Sequence, residues 1–96
     1  MPISRKSIIT KDLTVCYECG RPANAIHHCI YGVANRKLSE KYGLIVGLCY
    51  NHHTGRFGVH NGNRELGLRL KKIAQEKFIE TYQNEDFLAI FGRNYL

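Results

Sequence analysis

Two patterns of metal-binding residues interlock in this chain. Cys16-x-x-Cys19 is answered by Cys49-x-x-His52, and His27-His28 is answered by His53. Zinc in a tetrahedral site takes four thiolate or imidazole ligands, and a Cys-x-x-Cys turn sets two thiolates on one side of the ion. Cys49 and His52 repeat that spacing with imidazole in the last place. Between Cys19 and Cys49 lie 29 residues, room for two strands and a connecting helix. Cys16, Cys19, Cys49 and His52 are therefore expected to hold a structural Zn2+. Cys29 falls outside both patterns, in an apolar stretch, and suits a small buried hydrophobe.

The histidines offer different chemistry. His27 and His28 are adjacent on an expected strand, so their side chains leave opposite faces. One can ligate a metal while the other holds a water. His53 directly follows a zinc ligand, so the zinc turn fixes where it points. If the strands pair, His53 can converge with His27 and His28 on a second, open metal site. The bland alternative is a set of structural histidines, some serving the neighbouring zinc.

These residues need elements to place them. A basic arm is expected over 1–14, a knuckle over 15–22 and a short strand over 25–31. A helix follows over 35–42 with Gly43 as its cap, then a β-branched strand over 44–48. A turn or helix starts at Cys49, and a Gly-rich loop runs over 54–62. The clearest helix covers 63–82, capped by Asn63, with Leu66, Leu70, Ile73, Ala74, Phe78 and Tyr82 as its apolar stripe. A short helix over 85–91 packs through Phe87, Leu88, Ile90 and Phe91, and Gly92 ends it. The chain divides into the arm (1–14), a core carrying both sites (15–62) and a helical extension (63–96), all in one domain.

The formal charge is +6, and it is uneven: 12 of the 14 Lys and Arg, but only four of the eight acids, precede Ile73. A positive field around a metal site suits a polyanion, and nucleic acid is the commonest. Arg36 and Lys37 lie between the strands, and Arg56 and Arg64 flank the loop after His53; all four are candidate phosphate contacts, against ordinary solvated charge as the alternative. A 96-residue chain often needs a staple, which a metal supplies. The N-terminal stretch lacks the apolar core of a signal peptide, and the longest apolar run, 44–49, is too short to span a membrane. The expected location is cytoplasmic, without membrane partners, where paired Cys read as metal ligands rather than disulfides.

Ile26-His27-His28 and Cys49-Tyr50-Asn51-His52-His53 resemble the two halves of the HNH nuclease motif. Many HNH domains carry an added zinc site of two CxxC turns, with a motif His directly after the last zinc ligand. The stretches His27 to Gly32, Arg36 to Leu44 and Phe91 to Leu96 are similar to small HNH proteins of phages and prophages. The resemblance runs from Val15 onward. It implies a small α+β fold, a zinc-stapled ββα-metal core with a C-terminal helical extension. It implies that His27 and His53 ligate one catalytic divalent metal (Mn2+, Mg2+, Ni2+ or Zn2+) and that His28 is the general base of DNA phosphodiester hydrolysis. The products would carry a 5′-phosphate and a 3′-hydroxyl. The family's middle Asn is missing; its place is taken by Leu44 after Gly43. That opens a position for a third ligand, for which His60 is the candidate, as much as for a phosphate-contacting or surface role.

The reading is thus a metal-dependent endonuclease acting on DNA, double-stranded DNA above all, inside a bacterial host cell. Its competitors are a non-catalytic zinc module that binds nucleic acid and an accessory subunit of a phage packaging or recombination complex. A binding module has no need of His28 beside a ligand, whereas an assembly subunit would expose an apolar face such as Leu68 and Ile79. Zinc deaminases require His-x-Glu and zincins HExxH, and neither pattern occurs.

Overall fold

The computed structural model describes residues 6–32 and 34–96. Residues 1–5 of the expected basic arm lie outside them. The elements run β1 (Ala25–His28), α1 (Asn35–Tyr42), β2 (Ile45–Leu48), α2 (Tyr50–His53), α3 (Arg64–Thr81) and α4 (Phe87–Phe91). The fold is a small α+β arrangement around one antiparallel pair, with Ala25 opposite Leu48, Ile26 opposite Gly47, His27 opposite Val46 and His28 opposite Ile45.

The first strand is shorter than its apolar sequence suggests, and Ser39 is the reason. Cys29 N still bonds Leu44 O. At Ile30, however, the N–H donates to Ser39 Oγ at 3.2 Å, and Ser39 Oγ donates to the Ile30 carbonyl at 2.5 Å. One hydroxyl thus takes over both backbone groups, and the chain turns off the ladder. Ser39 and Ile30 are both fully buried, so the pairing also clamps α1 to the hairpin. Gly43 closes α1 in the left-handed conformation.

The knuckle docks on β2 at a position only glycine can fill. Val15 bridges Pro22, Cys16 N bonds Arg21 O, and Tyr17 N bonds Gly47 O at 2.8 Å. A Cβ on Gly47 would run into the Leu13 carbonyl and lie 2.9 Å from both Ala23 Cβ and the Val15 carbonyl.

The helical extension closes the other side. Asn63 caps α3 by accepting from Leu66 N, and its amide donates to Phe57 O, tying the helix start to the preceding loop. Phe78 is fully buried in a ring cluster, 5.2 Å from Tyr42, 5.1 Å from Tyr82 and 5.4 Å from Phe87 between centroids. Asp86 caps α4. With a single turn, α4 buries Phe87 and Phe91, four residues apart, and leaves Leu88 in solvent, not in the core as its sequence neighbours suggested. Leu68 and Ile79 on α3 are exposed. No described helix is long and apolar enough to cross a membrane.

Candidate metal centre and adjoining cleft

Cys16, Cys19, Cys49 and His52 meet where the knuckle abuts the start of α2. Their ligand atoms all lie within 4.8 Å of one another. Cys19 Sγ is 3.7 Å from Cys49 Sγ, while His52 Nδ1 is 3.3 Å from Cys49 Sγ and 3.9 Å from Cys16 Sγ. A zinc tetrahedron has S–S edges of about 3.8 Å and S–N edges of about 3.6 Å, from its bond lengths. A disulfide would need about 2.05 Å. The spacing therefore fits thiolates and an imidazole around one small ion. The knuckle also prepares the charge. Burial acts to raise the Cys16 thiol, but backbone N–H groups of Cys49, Cys19 and Glu18 outweigh it and bring the thiol down to about 6. At Cys19 the Arg21 backbone N–H lowers the thiol, and burial and the neighbouring thiols push it up, with a raised result. Cys29 is wholly buried apart from the group, its thiol pushed up by burial.

One helical turn serves two clusters. Cys49 is the extended cap of α2, and its carbonyl accepts from both His52 N and His53 N. Successive residues on a helix diverge by about 100°, so His52 faces the thiolates while His53 faces β1. There His53, His27 and His60 form a second group with ligand nitrogens within 4.8 Å of one another. Ring centroids are 5.6 Å apart for His27–His53, 5.3 Å for His27–His60 and 4.9 Å for His53–His60, every pair edge-on. His60 returns because the loop doubles back: Val59 N bonds His52 O and His60 N bonds His53 O, both at 3.0 Å. Asn61 donates to Gly55 O across that loop, and Asn63 donates to Phe57 O.

His27 is 1% exposed, and its Nε2 is buried with no hydrogen-bond partner among the described residues. A buried nitrogen left that way is costly. Burial and the neighbouring His60, His53, His28 and Lys71 bring its pKa down to about 3. Burial and His60 also lower His53. Both shifts favour the neutral imidazole, the form that ligates metal. Three imidazoles with open positions make a donor set suited to Zn2+, Mn2+ or Ni2+ more than to Mg2+.

His28 leaves the strand in the other direction, and its Nε2 lies 2.8 Å from Glu40 Oε1 on α1. It still opens onto the same cleft of about 650 Å3, lined by His27, His53, His60, Tyr31 and Arg36 among others. Arg64 lines a neighbouring groove with Lys71 and Arg93. Lys37 and Arg56 line neither. Lys37 is exposed on α1, and Arg56 sits over the ring of Phe57, which lies 6.5 Å from His52 on the zinc side. Glu40, Tyr31 and Lys71 carried no local signal in the sequence; the folded chain sets Tyr31 in the cleft, Glu40 against His28 and Lys71 in the neighbouring groove.

No family model, curated protein or solved structure matches the chain.

Proposed function

We propose that this chain is a zinc-stapled, metal-dependent endonuclease of the HNH type. The observation that carries the reading is the joining of two histidine tasks in one cleft. Three imidazoles converge around His27, whose buried Nε2 lacks a partner, and beside them His28 is oriented by a carboxylate. The order of parts supports the family assignment: a histidine pair on β1, a partner strand β2, and His53 on the following helix.

The residues divide the work as follows. Cys16, Cys19, Cys49 and His52 hold a structural Zn2+ that fixes α2 against the knuckle. His27, His53 and His60 hold a divalent metal. When bound, that ion supplies Lewis acidity at the scissile phosphate and the leaving 3′-oxygen. The Glu40 carboxylate can only accept hydrogen bonds, so the proton of His28 sits on Nε2 and donates to Glu40. Nδ1 then keeps its lone pair. That nitrogen takes a proton from water as the water's oxygen attacks phosphorus. Arg36, in the same cleft, draws the phosphodiester in by charge.

The test is cleavage of supercoiled plasmid by zinc-loaded protein with Mn2+, Ni2+, Zn2+ or Mg2+ added. Nicked or linear product with at least one imidazole-binding metal, and its loss in His53→Ala with the zinc retained, is the expected result. A wild-type protein that binds DNA but cuts under none of these conditions leaves the non-catalytic zinc module as the better description.

A further inference from the structure

Resting on the reading of the triad cleft as a phosphodiester site, we propose that the groove formed by Arg64, Lys71 and Arg93 beside Tyr31 is a second phosphate subsite. It would take the backbone of the same polynucleotide next to the scissile linkage. Tyr31 joins the two sites, because it lines both the triad cleft and this groove. Its ring lies 5.8 Å from His27 and 5.3 Å from His60, and Lys71 Nζ stands 4.3 Å from its centroid. A chain of phosphates leaving the triad past Tyr31 meets Lys71 directly.

The charge here is uncompensated. Elsewhere on α3, Arg69 pairs with Glu18 at 2.6 Å and Lys77 with Glu80 at 3.8 Å. Arg64, Lys71 and Arg93 have no carboxylate partner among the described residues, although they share one groove of about 460 Å3. Lys71 is half-buried among rings, while Arg64 and Arg93 are exposed to an incoming anion. Lys71 lies between two rings, with Tyr95 at 5.4 Å, and Arg93 lies 5.7 Å from Tyr95. The tail that carries Arg93 and Tyr95 is pinned to α3 by buried Gln75, which donates to Asn94 Oδ1 at 2.8 Å and accepts from Tyr95 N at 2.7 Å.

The groove suits a phosphate better than a base. Lys71 covers a face of Tyr31, so the groove presents charge instead of a stacking platform. Gly67, in the first turn of α3, lines the groove without a side chain. A Cβ there meets only the Tyr31 hydroxyl, at 3.7 Å. A larger side chain would fill the space the phosphate needs.

The experiment measures affinity for a labelled 20-base-pair duplex across a salt series, using zinc-loaded protein with no second metal added so that nothing is cut. Lys71→Ala/Arg93→Ala is expected to bind about tenfold more weakly, with a salt slope smaller by about two, one per lost phosphate contact. Lys41→Ala/Lys77→Ala, which removes the same net charge elsewhere, should change affinity less than twofold. Gly67→Leu should weaken binding with no change in charge and no loss of thermal stability. Equal effects of the two double variants, or no effect of Lys71→Ala/Arg93→Ala, overturn the subsite. Hydrolysis of bis(p-nitrophenyl) phosphate, a single linkage without neighbouring phosphates, separates the two readings. Arg93→Ala, which removes a groove cation in contact with none of the three histidines, should keep the wild-type rate on it. A wild type that binds duplex through the groove but hydrolyses neither substrate would sink the nuclease assignment and leave the groove standing.

Discussion

Nε2 of His28 sits 2.8 Å from Oε1 of Glu40, across the gap between β1 and α1. The contact ties the proposed base to a helix that is itself locked to the hairpin through Ser39 and Ile30. Glu40 is thus a positioning residue for His28. Glu40→Ala should slow plasmid cleavage about tenfold to a hundredfold, the usual cost of removing a group that orients a histidine. Glu40→Gln, which keeps an oxygen to accept from Nε2–H, should retain more activity than Glu40→Ala. Equal rates for wild type and Glu40→Ala would show that the pair does not position the base.

Zinc should be integral to folding. The purified protein is expected to hold one tightly bound zinc at the Cys16, Cys19, Cys49 and His52 group, and Cys19→Ser should give a poorly folded chain, since such binding energy is folding energy. Elemental analysis finding no tightly bound zinc in well-folded protein would contradict this.

Gly47→Ala should loosen the knuckle from β2. The added methyl meets backbone carbonyls of Leu13 and Val15 as well as Ala23, and overpacking of that kind costs about 1–3 kcal/mol. Denaturant unfolding would show the loss, and faster transfer of zinc to a chelator should accompany it. A variant as stable as the wild type would mean that the docking of this segment is softer than its contacts indicate.

Ser39→Ala should destabilise the fold by about 1–3 kcal/mol, because it strands a buried donor and a buried acceptor on Ile30 at once. A change under about 0.5 kcal/mol, the range of ordinary surface substitutions, would show that another group satisfies them.

Local chemistry made much of this fold legible. The matched x-x spacings point to the Cys/His quartet, and α1, running from Asn35 to Tyr42 with Gly43 as its cap, agrees with the expected bounds. Asn63 caps α3 as its position suggested. What was not legible depends on contacts between distant residues. The early end of β1 is set by Ser39, nine residues on. His60 could be named as a candidate but not placed, because its return depends on hydrogen bonds from the 59–60 backbone to His52 and His53. Arg56 and Lys37 lie near the site in sequence, but neither lines the triad cleft. Lys71 and Arg93, from the extension, take the side of the cleft instead.

The most direct measurement is the effect of His28→Ala on cutting, binding and metal uptake in the same preparation. His28 is assigned neither DNA contact nor ligation, so duplex affinity and occupancy of the His27, His53 and His60 group should stay at wild-type levels. Cleavage should fall by roughly two to four orders of magnitude, the span for losing a general base. A His28→Ala protein that cuts at the wild-type rate would contradict the account.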